Sequence, residues 1–597
     1  MSLLYNEIVN TYEKISSTTS RIMITEILVN LLKKASPEDV DKIVYLTQGK
    51  IYPDYVGIEL GVAEKLMARA IALASGENYD KVIQLLKTKG DLGMVAQEIL
   101  TRKKQAGILQ FIQEEEKKLT VSEVYDTLVK VSKASGEGAQ DIKIRLLTGL
   151  LKKATPIEAK YITRTVIGTL RLGLADMTIL DAIAIAYLKS KEFRQIVERA
   201  YNLTSDLGYV AKIALIEGIE GLKKVKIKPG IPIRPMLAER AETEIEIIER
   251  LGKSFIAEYK YDGERVQIHK EGDKITLFSR SLENITHHYP DIIEKFKDKT
   301  NAESLIVEGE IVAINPNTNE MLPFQELMHR KRKYEVEKAM EEFPVILYLF
   351  DILYLNGEEL IDLPLLKRKE ILEKTIKTDE WIRFAEKRII NNIDELLKFF
   401  DEAVSSGCEG IMCKSTASDS IYQAGSRGFL WIKFKRSYQS KMVEPIDVCI
   451  LGGFYGTGKR AGKLGGLLVG IYDPKNDVFK TICKVGTGFT DEDLDNLPKI
   501  LEPYKIDHKH PRVISNIEAD VWYIPAKVIE IIGDEITLSP IHTAAYNLIR
   551  NGVGLAIRFP RFTGRFRDDK RAEDATTEEE IIRMYKMQLK KIEEKSS

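Results

Sequence analysis

Ile256-Ala257-Glu258-Tyr259-Lys260-Tyr261-Asp262-Gly263-Glu264-Arg265, IAEYKYDGER, is the stretch on which the reading of this chain turns. Side chains alternate across a strand, so Ile256, Glu258 and Lys260 share one face while Ala257, Tyr259 and Tyr261 share the other. Asp262-Gly263 is a hairpin-turn pair, and a returning strand then carries Arg265, Gln267 and His269 on one face. A sheet face of Glu, Lys, Arg, Gln and His is either a solvated edge or a site. The stretch alone favours the edge, and the rest of the chain must decide.

A length of 597 residues exceeds one core, and about three domains are expected. Hydrophobic residues at 44% and charged residues at 30% describe a soluble globular chain. A net charge of −1 leaves nucleic acid open, because clustering of Lys and Arg matters more than their total. Cys408, Cys413, Cys449 and Cys483 make no CxxC pair and lack a partner His spacing. They point to neither a zinc site nor a disulfide frame and fit a reducing compartment. The N-terminus lacks the apolar core of a signal peptide, and no apolar run is long enough to span a membrane.

Residues 1–222 read as almost entirely helical, with apolar residues at three and four spacing in TSRIMITEILVNLLKKA, GVAEKLMARAIALA and LGLADMTILDAIAIAYL. Ser36-Pro37-Glu38-Asp39 and Thr155-Pro156-Ile157-Glu158 each offer an N-cap hydroxyl, a proline at the first helical position and an acid at the third. LLKKASPE and LLKKATPIE lead into them, and Leu60-Gly61-Val62-Ala63 and Leu172-Gly173-Leu174-Ala175 follow at similar offsets. The shared turn favours two related halves over chance likeness of amphipathic helices. Between Lys223 and Glu239, Pro229, Pro232 and Pro235 mark an extended linker. Strands and helices then mix to about residue 438, and short β segments with Gly-rich turns follow, ending in a charged helix.

Several downstream segments carry chemistry. Glu308-Gly309-Glu310 puts two carboxylates on one strand face, which alone reads as an acidic edge. Glu409 precedes an apolar strand ending in Lys414. In Trp431-Ile432-Lys433-Phe434-Lys435 the two lysines point from one face, where they repel unless an anion lies between them. A phosphate is the simplest such partner.

In order, KYDGER, FSR, EGE, LFD, the stretch from Glu409 to Lys414 and WIKFK resemble the covalent nucleotidyltransferase superfamily, and within it the ATP-dependent DNA ligases of archaeal type. Phe559-Pro560-Arg561-Phe562 through Asp569-Lys570 resembles the family's last motif, and Arg234 to Met236 its lead-in. The last motif has one residue more before Asp569-Lys570 than the commoner eukaryotic form. The resemblance spans the chain and implies a multidomain α+β protein. Its parts are an all-α DNA-binding domain with an internal repeat (1–222), an α+β nucleotidyltransferase or adenylation domain (223–438), and a β OB-fold domain with a C-terminal helix (439–597).

The same resemblance implies roles. Lys260 attacks the α-phosphate of ATP and holds AMP as a phosphoramidate. Glu258 accepts from the adenine amino group and Phe350 stacks on the ring, although a core phenylalanine is the plain alternative. Arg265 and Arg280 serve the ribose and the 5′-phosphate at a nick. Glu310 and Glu409 handle ribose or Mg²⁺, with Mn²⁺ as a substitute. Glu308 stands where many relatives have Asp. Arg427 and Lys433 surround adenine and the α-phosphate, Lys435 makes another phosphate contact, and Arg558, Arg561 and Lys570 reach pyrophosphate. A lysine must shed its proton to attack, so Lys433, Lys435, Arg265 and a metal cation are expected to lower the pKa of Lys260.

Implied partners are nicked duplex DNA and, through Gln105-Ala106-Gly107-Ile108-Leu109-Gln110-Phe111-Ile112, a sliding clamp; a buried amphipathic helix is the even rival for that segment. The helical domain would meet DNA phosphates with helix N-termini near Gly61 and Gly173. Gly456 to Arg460 is too loosely spaced for a P-loop and reads as a basic turn near DNA phosphate. A monomer in the cytoplasm, associated with the nucleoid and acting in replication, repair and recombination, completes the picture. RNA ligases and capping-type nucleotidyltransferases are the rivals. The long helical domain and the last motif speak against both, and an NAD-dependent enzyme would need a four-cysteine zinc site.

Overall fold

The computed structural model describes residues 2–106, 118–170, 172–314, 321–322, 324–327, 330, 340, 343–435, 444–456, 464–533, 535–539, 541–558 and 560–593. They form two compact units, one from residues up to 83 with 92–435 and one from residues 84–91 with 436–597. Among the described residues no helix is long and apolar enough to cross a membrane.

The first unit begins with helices, among them Tyr5–Ser16, Arg21–Leu32, Glu64–Ser75, Pro156–Val166 and Asp176–Leu188. Tyr5, Ile8, Val9, Tyr12 and Ile15 make the buried stripe that turns an otherwise polar segment into a core helix. The two marked starts behave differently. Thr155 caps its helix with a full capping box: Thr155 Oγ1 accepts from Glu158 N at 3.3 Å, and Glu158 Oε2 accepts from Thr155 N at 2.8 Å. At Ser36-Pro37 the expected start is not made; the chain turns there and the helix begins at Val40. Asp39, the acid that would have closed the box, is buried. Its carboxylate instead accepts from Leu3 N (2.8 Å), Ser2 Oγ (2.9 Å) and Ser122 Oγ (2.9 Å), which ties down the N-terminal segment.

Gly61 (φ +57°) and Gly173 (φ +66°) take the left-handed backbone that glycine enters without a Cβ penalty. Each is followed by an extended alanine N-cap, Ala63 or Ala175, and a helix opening on an acid, Glu64 or Asp176. Asp176 accepts from Gln48 Nε2 at 3.0 Å and Tyr201 Oη at 2.6 Å. An acid thus stands in the first turn of that helix, with its oxygens hydrogen-bonded to side chains from two other helices.

The rest of the first unit holds strands β1 (Leu237–Arg240), β2 (Phe255–Lys260), β3 (Glu264–Glu271), β4 (Lys274–Ser279), β5 (Ser304–Ala313), β6 (Val345–Leu355), β7 (Glu358–Glu359), β8 (Ile382–Phe384), β9 (Lys387–Ile390), β10 (Gly410–Ser415) and β11 (Arg427–Lys435). One sheet runs β1-β11-β10-β2-β9 and the other β4-β3-β5-β6-β7, with β8 beside β6. The two sheets face each other, with Tyr261 stacked on Tyr348 at 4.0 Å and Phe350 meeting Trp431 edge-on at 6.2 Å.

This arrangement corrects the hairpin reading of KYDGER. β2 pairs with β10 and β9, and β3 with β4 and β5, so Asp262-Gly263 carries the chain from one sheet to the other. Both edges of each strand are already taken. Gly263 passes so close to β5 that a Cβ there would fall 2.3 Å from the Ile311 carbonyl oxygen. The linker is sewn onto β3: Ile233 N donates to Gln267 Oε1 (2.8 Å), Gln267 Nε2 to the Ile233 carbonyl (3.1 Å), and Gly230 N to His269 Nδ1 (3.0 Å).

The second unit is the expected C-terminal β domain: β12 (Ile446–Tyr455), β13 (Leu464–Asp473), β14 (Val478–Val485), β15 (Lys505–Ile506), β16 (Val513–Ile514), β17 (Val521–Tyr523), β18 (Val528–Ile532), β19 (Glu535–Ser539), β20 (Gly554–Arg558) and β21 (Arg561–Phe566). Its main sheet runs β15-β17-β12-β13-β14-β16, β18 joins β12 to β21, and β19 pairs with β20. The charged tail forms the helix Glu578–Glu593. A second helix, Asp491–Leu501, stands where the sequence pattern predicts short β segments; Thr490 and Asp493 make its capping box, and Pro498 inside it hides the helical pattern.

Candidate active site

Register brings the reacting lysine of the sequence reading to the junction of three strands. Gly410 lies opposite Lys260 on one side and Lys435 on the other, and Glu409 N donates to the Lys260 carbonyl at 2.8 Å. The Glu409 carboxylate is thereby placed between two ammonium groups, with Oε2 at 2.5 Å from Lys260 Nζ and 2.7 Å from Lys435 Nζ. Burial works against the charge of Glu409, but Lys260 and Lys435 outweigh it and lower its pKa. Burial likewise disfavours the Lys260 ammonium, yet Glu409, Glu310 and Asp262 raise its pKa above the ordinary lysine value.

The expectation that neighbouring cations lower Lys260 is thus corrected. A carboxylate at contact distance outweighs cations farther off. The cations do gather. Lys433 is lowered by burial and then by Arg427, Lys435, Lys260 and Arg280. Lys435 already has Glu409 as its anion, whereas Lys433 has no ion pair with a described residue. Arg280 and Arg427 are exposed at the rim. Glu310, beside Lys260 and Arg265, is pushed up to about 7 by burial.

Two residues along β2 the environment changes. Glu258 is buried and paired with lysines other than Lys260, held by Lys414 Nζ at 2.6 Å and by Lys369 Nζ. Burial opposes its charge, and Lys369 and Lys414 restore it, leaving its pKa lowered. Lys414 Nζ also lies 4.7 Å from the Phe350 ring centre and 4.1 Å from Trp431. Phe350 is only half-buried, so one ring is both packed on Trp431 and open to a ligand.

Arg265 donates to Glu308 Oε2 (2.9 Å) and to the Met236 carbonyl (2.7 Å), and sits 5.4 Å from the Phe350 ring centre. Tyr422 Oη donates to the same Glu308 oxygen at 2.9 Å. Glu308, Arg265, Ser279, Arg280 and the linker residues Pro232 and Pro235 line one small recess. Sequence reasoning gave no role to Lys369, Tyr422 or Gln267, nor to Lys414 beyond ending a motif.

In the second unit Lys570 Nζ lies 2.6 Å from Asp447 Oδ2, Arg567 binds Oδ1 of the same carboxylate at 3.0 Å, and Arg561 is exposed at the start of β21. Arg558 ends β20. Phe559 lies outside the described residues, as do residues 107–112 of the clamp segment and 457–460 of the Gly456–Arg460 turn. Among the described residues no three of His, Cys, Asp and Glu are arranged to hold a metal. Glu310 and Glu409 do lie near one another beside Lys260, and carboxylate oxygens of this kind, with water, are what Mg²⁺ takes.

A lysine beside carboxylates, a half-buried aromatic ring and a rim of cations are thus gathered in this unit. Residues 235–435 match the ATP dependent DNA ligase domain, residues 4–184 the DNA ligase N terminus and residues 460–570 the ATP dependent DNA ligase C terminal region. The chain belongs to the ATP-dependent DNA ligase family. Over 591 residues it is 58% identical to DNA ligase 2 of Thermofilum pendens, covering 98% of each chain. Over 597 residues it is 52% identical to the DNA ligase of Staphylothermus marinus, covering 99% of this chain and 100% of that one. The solved structure Pmar-Lig_PreS3 aligns with a TM-score of 0.52 at 16% identity, covering 94% of this chain and 99% of that one, a likeness of fold.

Proposed function

We propose that Lys260 is the nucleophile with which this ATP-dependent DNA ligase seals nicks in duplex DNA. The observation that carries this assignment is the Lys260–Glu409–Lys435 bridge, about a fifth exposed and with Lys433 near both lysines. Adenine stacks on Phe350 with its amino group toward Glu258, and Arg265, Arg280 and Arg427 take the sugar and phosphates. An ordinary lysine is neutral about once in a few thousand molecules at neutral pH, and Lys260 is neutral less often still. That proton must leave before the amine can attack, and the contact with Glu409 must open as it does.

The Lys260 amine then bonds to the α-phosphorus and pyrophosphate leaves with the electron pair of the broken P–O bond. The 5′-phosphate at a nick displaces Lys260 from that phosphorus, and AMP passes to the DNA. Finally the 3′-hydroxyl attacks the activated phosphate, AMP departs and a phosphodiester remains. Lys433 and Lys435 gather charge on the phosphate oxygens as each displacement proceeds. Mg²⁺, or Mn²⁺, held by Glu310 and Glu409 would neutralise phosphate charge. Arg558, Arg561 and Lys570 serve pyrophosphate, for which Lys570 must exchange Asp447 for the nucleotide.

Incubation with labelled ATP followed by a denaturing gel tests this reading. Label that Lys260→Ala abolishes and nicked duplex DNA discharges supports it; label retained by Lys260→Ala overturns it. The rival RNA-ligase reading requires discharge by nicked RNA in place of DNA. The chain acts as a monomer with DNA in the nucleoid, and sedimentation measures the first point. Clamp docking through Gln105–Ile112 rests on sequence: Phe111→Ala that stays folded loses clamp stimulation, and unchanged stimulation ends the idea.

A further inference from the structure

Lys369 is not part of any segment that carries the family resemblance described above, yet it holds the base end of the site. It stands on the helix Leu365–Thr375, in the charged run Lys367-Arg368-Lys369. Lys367 is exposed, whereas Lys369 is turned inward with Leu365 and Leu372 and is buried. Its neighbour Arg368 is committed elsewhere, to Asp351 through Nε at 2.8 Å and Nη2 at 3.0 Å, and this anchors the first turn of the helix.

The Lys369 ammonium makes two bonds, one to Glu258 and one, at 2.6 Å, to the carbonyl oxygen of Phe350. It therefore joins the carboxylate that would meet the base edge to the backbone of the ring on which the base would stack. Lys414 holds the other Glu258 oxygen from β10. With both oxygens fixed and charged, the carboxylate offers acceptors alone. An amino group at purine position 6 can donate to it, while a carbonyl there meets repulsion and a bare C–H gains nothing.

We propose that Lys369 is a positioning residue for base selectivity, fixing Glu258 relative to Phe350 so that the enzyme selects a 6-amino purine nucleotide. This rests on the adenylation reading above and deepens it. The consequence is specific: loss of Lys369 weakens selection between bases rather than chemistry at phosphorus, which lies with Lys260.

The test compares self-labelling of the full chain by ATP with labelling by the triphosphates of unsubstituted purine riboside and of inosine. In the wild type ATP is expected to win by about ten- to a hundredfold, the range for a hydrogen bond to a charged group. Lys369→Met should lower ATP labelling and leave the two analogues nearly unchanged, so that the ratio falls toward one. The exposed Lys367→Ala on the same helix should keep the wild-type ratio. Equal loss with all three nucleotides, or an unchanged ratio, overturns the proposal and leaves Lys369 a structural residue. Should methionine unfold the site, Lys369→Gln, which keeps a donor for the Phe350 carbonyl, gives the same reading. Wild-type labelling by ATP is seen on the same gel, so failure of the adenylation reading is told apart from failure of this one.

Discussion

Glu258 and Glu409 are each one carboxylate between two lysines, and the two bridges share the β2–β10 pair of strands. They differ in water. The Glu258 bridge has side chains 2–6% exposed, and the Glu409 bridge 17–23%. A buried, fully paired charge resists change, since removing one partner strands the others without solvent. A bridge that water reaches can be opened at smaller cost, because solvent replaces the lost partner. On the proposed assignment, one arrangement of residues serves as a fixed reading head at one end of the strand and as a reacting group at the other.

The sharpest way to break this comparison is at Lys260. Lys260→Arg keeps a cation beside Glu409 but removes the nucleophile, and labelling by ATP should fall on the order of a millionfold, to background on a gel. Next, Lys435→Ala should slow adenylation about 10²- to 10³-fold by removing a cation at the phosphates, measured by quenched-flow labelling. Its thermal midpoint should barely move.

The contrast then inverts. Glu258→Gln should destabilise the protein by about 3–5 kcal/mol in denaturant titration, because Lys369 and Lys414 would be left buried without their anion. Glu409→Gln should cost only about 1 kcal/mol of stability while abolishing activity. Equal stability losses in the two variants would erase the distinction.

The smallest effect tests how far the rigid end extends. His269 is lowered to about 3 by burial. Its folded pKa is depressed from 6.5, so its stabilising contribution is present above pH 6.5 and is lost as pH falls toward 3. His269→Gln should flatten the thermal midpoint over that window and leave labelling at pH 7 near wild type. A wild-type pH profile in the variant would remove His269 from the account.

Much of this was legible in the sequence because it is local. Period and caps placed the helices Arg21–Leu32, Pro156–Val166 and Asp176–Leu188, and alternation put Glu258 and Lys260 on one face. What failed is what depends on partners distant in sequence. Asp262-Gly263 looks like a hairpin turn because local chemistry does not reveal that β2 and β3 pair with other strands. The raised pKa of Lys260 is not legible locally, because Glu409, 149 positions away, outweighs the cations that the motif makes conspicuous. Lys369 did carry a signal. Leu365, Arg368, Lys369 and Leu372 follow the spacing of one helix face, so two basic residues occupy core positions and need buried anions. Those anions are Asp351 and Glu258.

Peptide mapping by mass spectrometry of the native protein, after incubation with ATP and Mg²⁺, addresses the chemistry at its source. The adenylyl group should be found on the Lys260 side chain, lost in acid and absent once nicked duplex DNA is added. An adenylyl group on any other residue, or none on a protein that still seals nicks, would contradict the account.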